Sequence, residues 1–269
     1  IISELKAIIK KYPAPRKTGI VYAAEIEEYT EEDTVEDYPV SVFLSNEGYL
    51  KKITPQSLRM SSEQKFKDGD ALKMSFEATN RTELLVFTDR QQVYKTRLSD
   101  FDDTKASALG AYLPTKLSMD DGERVLEIIC PGNYRKNLLL FFENGKVARL
   151  DLESYETKTN RKKLINAYSD KSPLAAVYMI SEEIDMAVFA SDGRALVFNT
   201  TLLQVKTSRS TQGVGVMSLK KNSRVTSAAP LADTVIKNIS RYRVRSLPAA
   251  GALLKEDDRG ETQLSLMDD

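Results

Sequence analysis

The residues with chemistry to offer are cations in short runs. Lys158-Thr159-Asn160-Arg161-Lys162-Lys163 places four positive charges in six positions, with hydroxyl and amide donors between them. Lys206-Thr207-Ser208-Arg209-Ser210-Thr211-Gln212-Gly213 repeats the mixture, with a glycine that would let backbone N–H groups approach an anion. Lys220, Lys221 and Arg224 follow on an expected turn, and Arg241, Arg243 and Arg245 alternate along an expected strand. Lys65, Lys67 and Lys105 add charge to two earlier loops. Such groups suit a line of phosphates, because Lys and Arg gain affinity for a polyanion by releasing its condensed counterions. They position a protein on that line without reading a base sequence.

The distribution of charge supports that reading over scattered solvation. The whole chain balances 39 basic against 39 acidic residues, yet from Gln204 to Arg245 nine basic residues meet one acid, Asp233. Residues 25–37 hold eight carboxylates, and the last fifteen residues are again acidic. A chain sorted this way presents one basic and one acidic surface. The acidic tail serves either plain solubility or competition with the polyanion for the basic surface.

Other chemistries are excluded or weak. The sequence has no histidine, which removes Ser–His and Cys–His nucleophile pairs, His-ligated metals and a His general base. The lone Cys130 rules out disulfides within the chain and multi-cysteine zinc sites; between Ile129 and Pro131 it reads as a small buried hydrophobe. Asp100, Asp102 and Asp103 lack the Gly and terminal Glu of an EF-hand and read as a solvated loop. Catalytic and metal residues are therefore expected to be none. Apolar runs are far shorter than the roughly 20 residues of a spanning helix, and no signal peptide opens the chain, so a cytoplasmic location without membrane partners is expected.

The elements that must carry these loops form a repeat. Phe43–Lys52 reads as strand, tight turn, strand, and Val86–Lys95, Leu140–Arg149, Val188–Val197 and, weakest, Val235–Val244 fit the same template. Each has an apolar strand, an Asn/Asp-rich turn and usually a glycine suited to positive φ. The turn position falls at 48, 91, 145, 193 and 240; Gln91 and Ser240 replace glycine and predict turns built differently. Polar loops and further strands such as Arg124–Ile129 and Arg224–Ala228 lie between the hairpins. About four strands per unit of about 48 residues is propeller arithmetic, with a two-sheet sandwich as the alternative. The chain is thus expected to be all-β, with about five blades of four strands and a short N-terminal helix. Apolar residues at 1, 2, 5, 8 and 9 before Pro13 have helical spacing. Thr18–Ile26 alternates like a strand and is expected to complete the last blade, because Ala249–Ala252 is a poor strand.

The hairpin text LSNEGYLKKI (44–53), LLVFTDRQQVYKTRL (84–98) and the loop SRSTQGVGVMSLKKNSRVTS (208–227) resemble the C-terminal domain of bacterial type IIA topoisomerase A subunits, of gyrase and topoisomerase IV. The resemblance runs from the helix at Ser3–Tyr12 to about Arg245. It implies a β-pinwheel, a propeller-like fold whose blades exchange strands and whose basic rim binds and bends duplex DNA. It implies domains at 1–17 (linker helix), 18–247 (pinwheel) and 248–269 (acidic tail). It also implies partnership, in a heterotetramer, with an ATPase B subunit, together with the rest of the A subunit. The parent would be an ATP-dependent DNA topoisomerase whose ATP, Mg²⁺ and nucleophilic tyrosine lie in other regions, leaving this chain without a cofactor.

One departure matters. The gyrase heptapeptide Q-[R/K]-R-G-G-[R/K]-G corresponds here to Gln64-Lys65-Phe66-Lys67-Asp68-Gly69-Asp70, with two carboxylates and no glycine pair. That degeneracy favours a topoisomerase IV-like role over chiral gyrase wrapping. A propeller serving as a protein-interaction platform is the alternative from another class.

Overall fold

The structure is a computed structural model that describes residues 1–12, 35–61, 63–157 and 162–259. It divides into two units, Ile1–Glu36 and Asp37–Asp269. In the first, α1 (Ile2–Lys11) has the helix expected from its apolar spacing, with Glu4 in its first turn and Lys10 and Lys11 in its last, matched to the helix dipole. The expected strand Thr18–Ile26 lies outside the described residues.

In the second unit the chain runs through β1 (Pro39–Ser45), β2 (Tyr49–Ile53), α2 (Pro55–Met60), β3 (Leu72–Thr79), β4 (Glu83–Thr88), β5 (Val93–Arg97), β6 (Ala111–Tyr112), α3 (Leu113–Lys116), β7 (Val125–Ile129), β8 (Asn137–Phe142) and β9 (Lys146–Asp151). It continues through β10 (Lys163–Leu164), β11 (Leu174–Ile180), β12 (Asp185–Ala190), β13 (Arg194–Asn199), β14 (Val205–Lys206), β15 (Val214–Gly215), β16 (Val225–Pro230), α4 (Ile239–Tyr242) and β17 (Ala252–Leu253). These strands make four sheets, in the orders β3-β1-β2-β6, β10-β5-β4-β7, β11-β8-β9-β14 with β15 also on β9, and β16-β12-β13-β17. After each of the second, third and fourth hairpins the chain steps back to edge the preceding sheet before supplying a strand to its own. Blades therefore exchange strands, as the resemblance implied.

Packing follows from the strand period of two. In β4, Leu84 and Val86 join Val40, Val42 and Leu44 of β1 in one core, while Leu85 and Phe87 join Leu138, Leu140 and Phe142 of β8 in the next. Leu139 and Phe141 of β8 then meet Met186, Val188 and Ala190 of β12. A central strand packed on both faces must be a continuous apolar run, which is how these hairpins read. Each such side chain withdrawn from water contributes about 1.5–3 kcal/mol. The first hairpin instead alternates, with Ser41 and Ser45 on its outer face. In every sheet the ladder to the inner strand shifts register at one equivalent place, Leu44/Ser45, Phe87/Thr88, Leu174/Ala176 and Phe189/Ala190.

Three expectations are corrected. The sheets number four among the described residues, where about five blades were expected. Val235–Val244 is no hairpin: Ile236 and Tyr242 cover the outer face of the fourth sheet, against Ala187, Phe189, Ala195 and Val197. The backbone N–H groups of Lys237 and Asn238 find Asp258 Oδ1 at 2.7 and 3.2 Å rather than a ladder partner. The boundary drawn at 248 also moves, because β17 lies beyond it and pairs with β13 at the edge of the fourth sheet.

The turns hold one further surprise. Gly48, Gly145 and Gly193 have positive φ, and so does Gln91 at 55°, so its turn has the shape of the others despite its side chain.

Candidate nucleic-acid interface

The inner strands of neighbouring sheets pack side by side, β7 on β11 and β11 on β16. The opposite edge of each sheet carries the returned strands β6, β10, β14 with β15, and β17. Loops leading into those strands therefore line the outer edges of the blades. Their geometry repeats: Asp103, Val205 and Arg243 make parallel bridges to Lys52, Arg149 and Val197, three equivalent positions on the second hairpin strands.

This repetition distributes the cations. Lys105 and Arg245 each stand two residues beyond the bridge, Lys206 stands one beyond it, and Lys162 immediately precedes β10. All four are exposed and form no ion pair among the described residues, although the Lys206 ammonium reaches Gln204 Oε1 at 3.4 Å. Arg209, in the loop between β14 and β15, is half-buried with its guanidinium 5.7 Å from the centroid of Tyr155. Lys158 and Arg161 lie outside the described residues.

Close approach of the returned strands explains two glycines. A Cβ on Gly110 would lie 2.4 Å from Leu50 O, and one on Gly213 only 2.2 Å from Val147 O, and both residues have positive φ. Sequence reasoning did not identify Gly110; a glycine shortly before a short apolar pair, recurring at Gly213 and Gly251, was the available signal.

A second set of equivalent positions lies in the turns that lead to the inner strands. Hairpin residues Asn46, Asp89, Glu143 and Ser191 donate to the carbonyls of Ala71, Arg124, Pro173 and Arg224 at 2.9–3.0 Å, fixing the equivalence. In the first blade this turn carries Lys67, Asp68 and Asp70, in the second Asp120, Asp121, Glu123 and Arg124, and in the third Asp170 and Lys171. In the fourth it carries Lys220, Lys221 and Arg224 with no acid. All three are exposed. Positive potential on these turns is thus confined to the last blade.

The degenerate heptapeptide is folded onto its own blade. Lys51 is 1% exposed, and its ammonium donates to Lys65 O, to Ala106 O at 3.0 Å and to Gln64 Oε1 at 3.4 Å, with the Phe66 ring 4.9 Å away. Burial pushes its pKa below the ordinary lysine value, while the three oxygens satisfy all three donors of the charged form. Lys67 is held by Glu47 at 2.8 Å, and Asp70 Oδ1 accepts the N–H of Glu47 at 3.1 Å and of Ala71 at 2.8 Å. Lys65 keeps an exposed side chain, but its backbone is fixed to Ala106.

Two further expected contacts are occupied within the fold. Lys163 is tied to Asp120 at 3.1 Å, and the hydrogen bonds of Tyr94 and Asp120 raise its pKa. Arg243 pairs with Asp185 at 2.6 Å. It and Arg245 do not alternate along a strand of their own: with Arg241, which is exposed beside Tyr242, they belong to α4 and the segment after it. The acidic residues near 100 are also engaged. Asp100 accepts from Thr96 Oγ1 and the Arg97 N–H, and Asp103 from Tyr38 and Lys52, so this is a structural cluster rather than a merely solvated loop. Cys130 is half-buried, and burial pushes its thiol up to about 11.

Hairpin blades that hand strands backwards around a shared inner row define the β-pinwheel, a propeller-like class. Comparison with known proteins narrows the class. Residues 82–110 and 185–232 match the family described as the DNA gyrase C-terminal domain, beta-propeller. The DNA gyrase A protein of Borreliella burgdorferi is 21% identical over 78% of this chain, and the corresponding DNA topoisomerase 4 A protein of Bacillus subtilis is 25% identical over 92% of it. The chain spans 27% and 31% of those two relatives. A solved C-terminal domain of DNA topoisomerase IV superposes with a TM-score of 0.70 at 19% identity, covering 82% of this chain and 73% of that one. A DNA gyrase A C-terminal domain superposes with 0.58 at 17% identity, covering 82% and 80%. In sequence and in fold this chain is thus similar to the C-terminal domains of DNA gyrase A and DNA topoisomerase IV.

Proposed function

We propose that this chain binds duplex DNA without sequence specificity along the outer edges of its blades and bends it, as the DNA-holding part of a larger type IIA topoisomerase A subunit. The observation that carries the reading is the recurrence of cations with no ion pair among the described residues, Lys105, Lys162, Lys206 with Arg209, and Arg245, on the outer edges of successive blades. A row of such charges follows a phosphate backbone, and release of counterions supplies the affinity. Bending roughly 40 base pairs costs about 1–6 kcal/mol, which contacts spread over several blades offset.

The finer assignment is topoisomerase IV-like. It is supported by the heptapeptide segment, whose Gln64, Lys67 and Asp70 are consumed by contacts within the first blade. The first two inner turns are acidic, so the duplex leaves the chain on the side of the fourth blade, with Lys220, Lys221 and Arg224. The parent is an ATP-dependent topoisomerase in the bacterial cytoplasm, associated with the nucleoid. Its remaining A-subunit regions and its ATPase B subunit supply the nucleophile, ATP and Mg²⁺.

Fluorescence anisotropy with a 40-base-pair duplex tests the reading. The logarithm of affinity should fall linearly with the logarithm of salt, and neutralising Lys105 and Arg245 together should reduce the slope by about two. Salt-insensitive or absent binding overturns it. Ligation of nicked plasmid bound to the chain then separates the two family roles: no change in linking number is expected, and a dose-dependent positive shift would mean gyrase-like wrapping.

A further inference from the structure

An open cleft of about 650 Å³ lies where the segment after β10 faces the loop between β14 and β15. Asn166, Ser169 and Asp170 line one side, and Ser208, Arg209 and Ser210 the other. The first segment leaves the edge of the second blade and the loop belongs to the edge of the third, so the cleft sits between blades on the outer edge.

Arg209 is the cation in this lining. Its guanidinium lies against the ring of Tyr155, which is fully buried and donates its hydroxyl to Ala167 O at 2.7 Å. A planar cation resting on a fixed ring is oriented before any ligand arrives. No carboxylate lies within ion-pair distance of it among the described residues. Asp170 shares the cleft but is 71% exposed and lies 3.5 Å from the Lys171 ammonium. Ser208 and Ser210 hydroxyls are 3.1 Å apart and share one hydrogen between them, which leaves the other hydroxyl hydrogen to donate. The Ser169 hydroxyl accepts from the Lys171 N–H, so its own hydrogen is also available.

We propose that this cleft is a phosphate site in which Arg209 clamps one phosphate of the duplex backbone, with the serine hydroxyls and Asn166 as further donors. The inference rests on the DNA-binding reading and deepens it: one edge contact is preorganised and geometric, while the others, Lys105, Lys162, Lys206 and Arg245, are exposed side chains. Arg presents parallel N–H groups to two phosphate oxygens, which an ammonium cannot do. Arg209 thus anchors the register of the duplex on the blades.

The test uses the whole chain with Arg209→Lys, Arg209→Gln, the double variant Ser208→Ala/Ser210→Ala and, as control, Arg135→Lys, at an exposed arginine between β7 and β8. Thermal melts verify folding. Arg209→Lys is expected to lose affinity for the 40-base-pair duplex by about tenfold while keeping the salt slope. Arg209→Gln should lose at least as much and reduce the slope by about one. The serine double variant is expected to weaken binding about threefold, through loss of neutral donors, and Arg135→Lys to leave it unchanged. Wild-type affinity in Arg209→Lys would overturn the inference while leaving the DNA reading intact. If the wild-type chain binds no duplex, that reading fails, and titration with inorganic phosphate followed at the Arg209 Nε–H by NMR decides the cleft separately. A saturable shift there would assign it to free phosphate, and no shift would remove it.

Discussion

The hydroxyl of Tyr168 takes the place of a turn hydrogen bond at Gln91. In three hairpins the turn glycine donates directly to the carbonyl three residues earlier, Gly48 to Ser45, Gly145 to Phe142 and Gly193 to Ala190, at 3.0–3.1 Å. In the second hairpin Gln91 N donates to Tyr168 Oη at 3.2 Å, and Tyr168 donates onward to Thr88 O. A residue from the next blade's approach thus closes the turn that lacks glycine, and couples the two blades.

Replacing Tyr168 by Phe is expected to cost about 1–3 kcal/mol, because a buried carbonyl and an N–H lose their partner together. Denaturant unfolding measures it. Gln91→Gly in the same background should recover part of the loss, since glycine adopts the positive φ without strain.

Gly213→Ala should be far more damaging than Gly69→Ala. Both glycines have positive φ, 72° and 83°, but a Cβ at 213 meets Val147 O at 2.2 Å while one at 69 has nothing within 4 Å. The second substitution therefore reads conformational strain alone, about 1–2 kcal/mol. The first adds a collision that detaches β15 from β9. Hydrogen exchange at Val214 and Gly215 should rise in that variant and not in the other.

Lys51→Met should loosen the heptapeptide segment. Lys65 O and Gln64 Oε1 lose the ammonium donor and Ala106 O keeps only the Lys65 N–H, at a cost of about 1–3 kcal/mol, and Phe66 loses the cation over its ring. Limited proteolysis between residues 63 and 70 is expected to speed up, with the other loops unchanged.

Asp258 gives the fourth blade an acid-sensitive clasp. The N–H of Lys237 foremost, then the Tyr242 hydroxyl and the N–H of Asn238, hold its pKa below the ordinary carboxylate value. A carboxylate depressed in the folded state contributes stability that is fully present above its unfolded pKa of about 3.9 and is lost as pH falls through the lower folded value. Asp258→Asn should lower the melting temperature at pH 7 and narrow the gap to the wild type as pH drops below about 4. An equal gap at pH 7 and pH 3 would contradict this role.

Much of the fold was legible because hairpins are local. The apolar runs at 84–87, 138–142 and 186–190 and the turns at 48, 91, 145 and 193 depend on residues close in sequence, and all four hairpins stand where their spacing placed them. The basic runs were legible as cations, and the degenerate heptapeptide as a departure.

Tertiary structure decided the rest. The returned strands β6, β10, β15 and β17 are two residues long, too short to have a period, and exist through close approach to a hairpin formed elsewhere in the chain. The run at 235–244 has strand-like residues, yet it became a cap because no further sheet stands beyond the fourth among the described residues and Asp258 captured its N–H groups. Which cations remain free was also settled over distance: Arg243 is neutralised by Asp185 and Lys163 by Asp120, 58 and 43 residues away. Charge and apolar pattern are properties of a sequence, whereas the partner of a charge is a property of the packed chain.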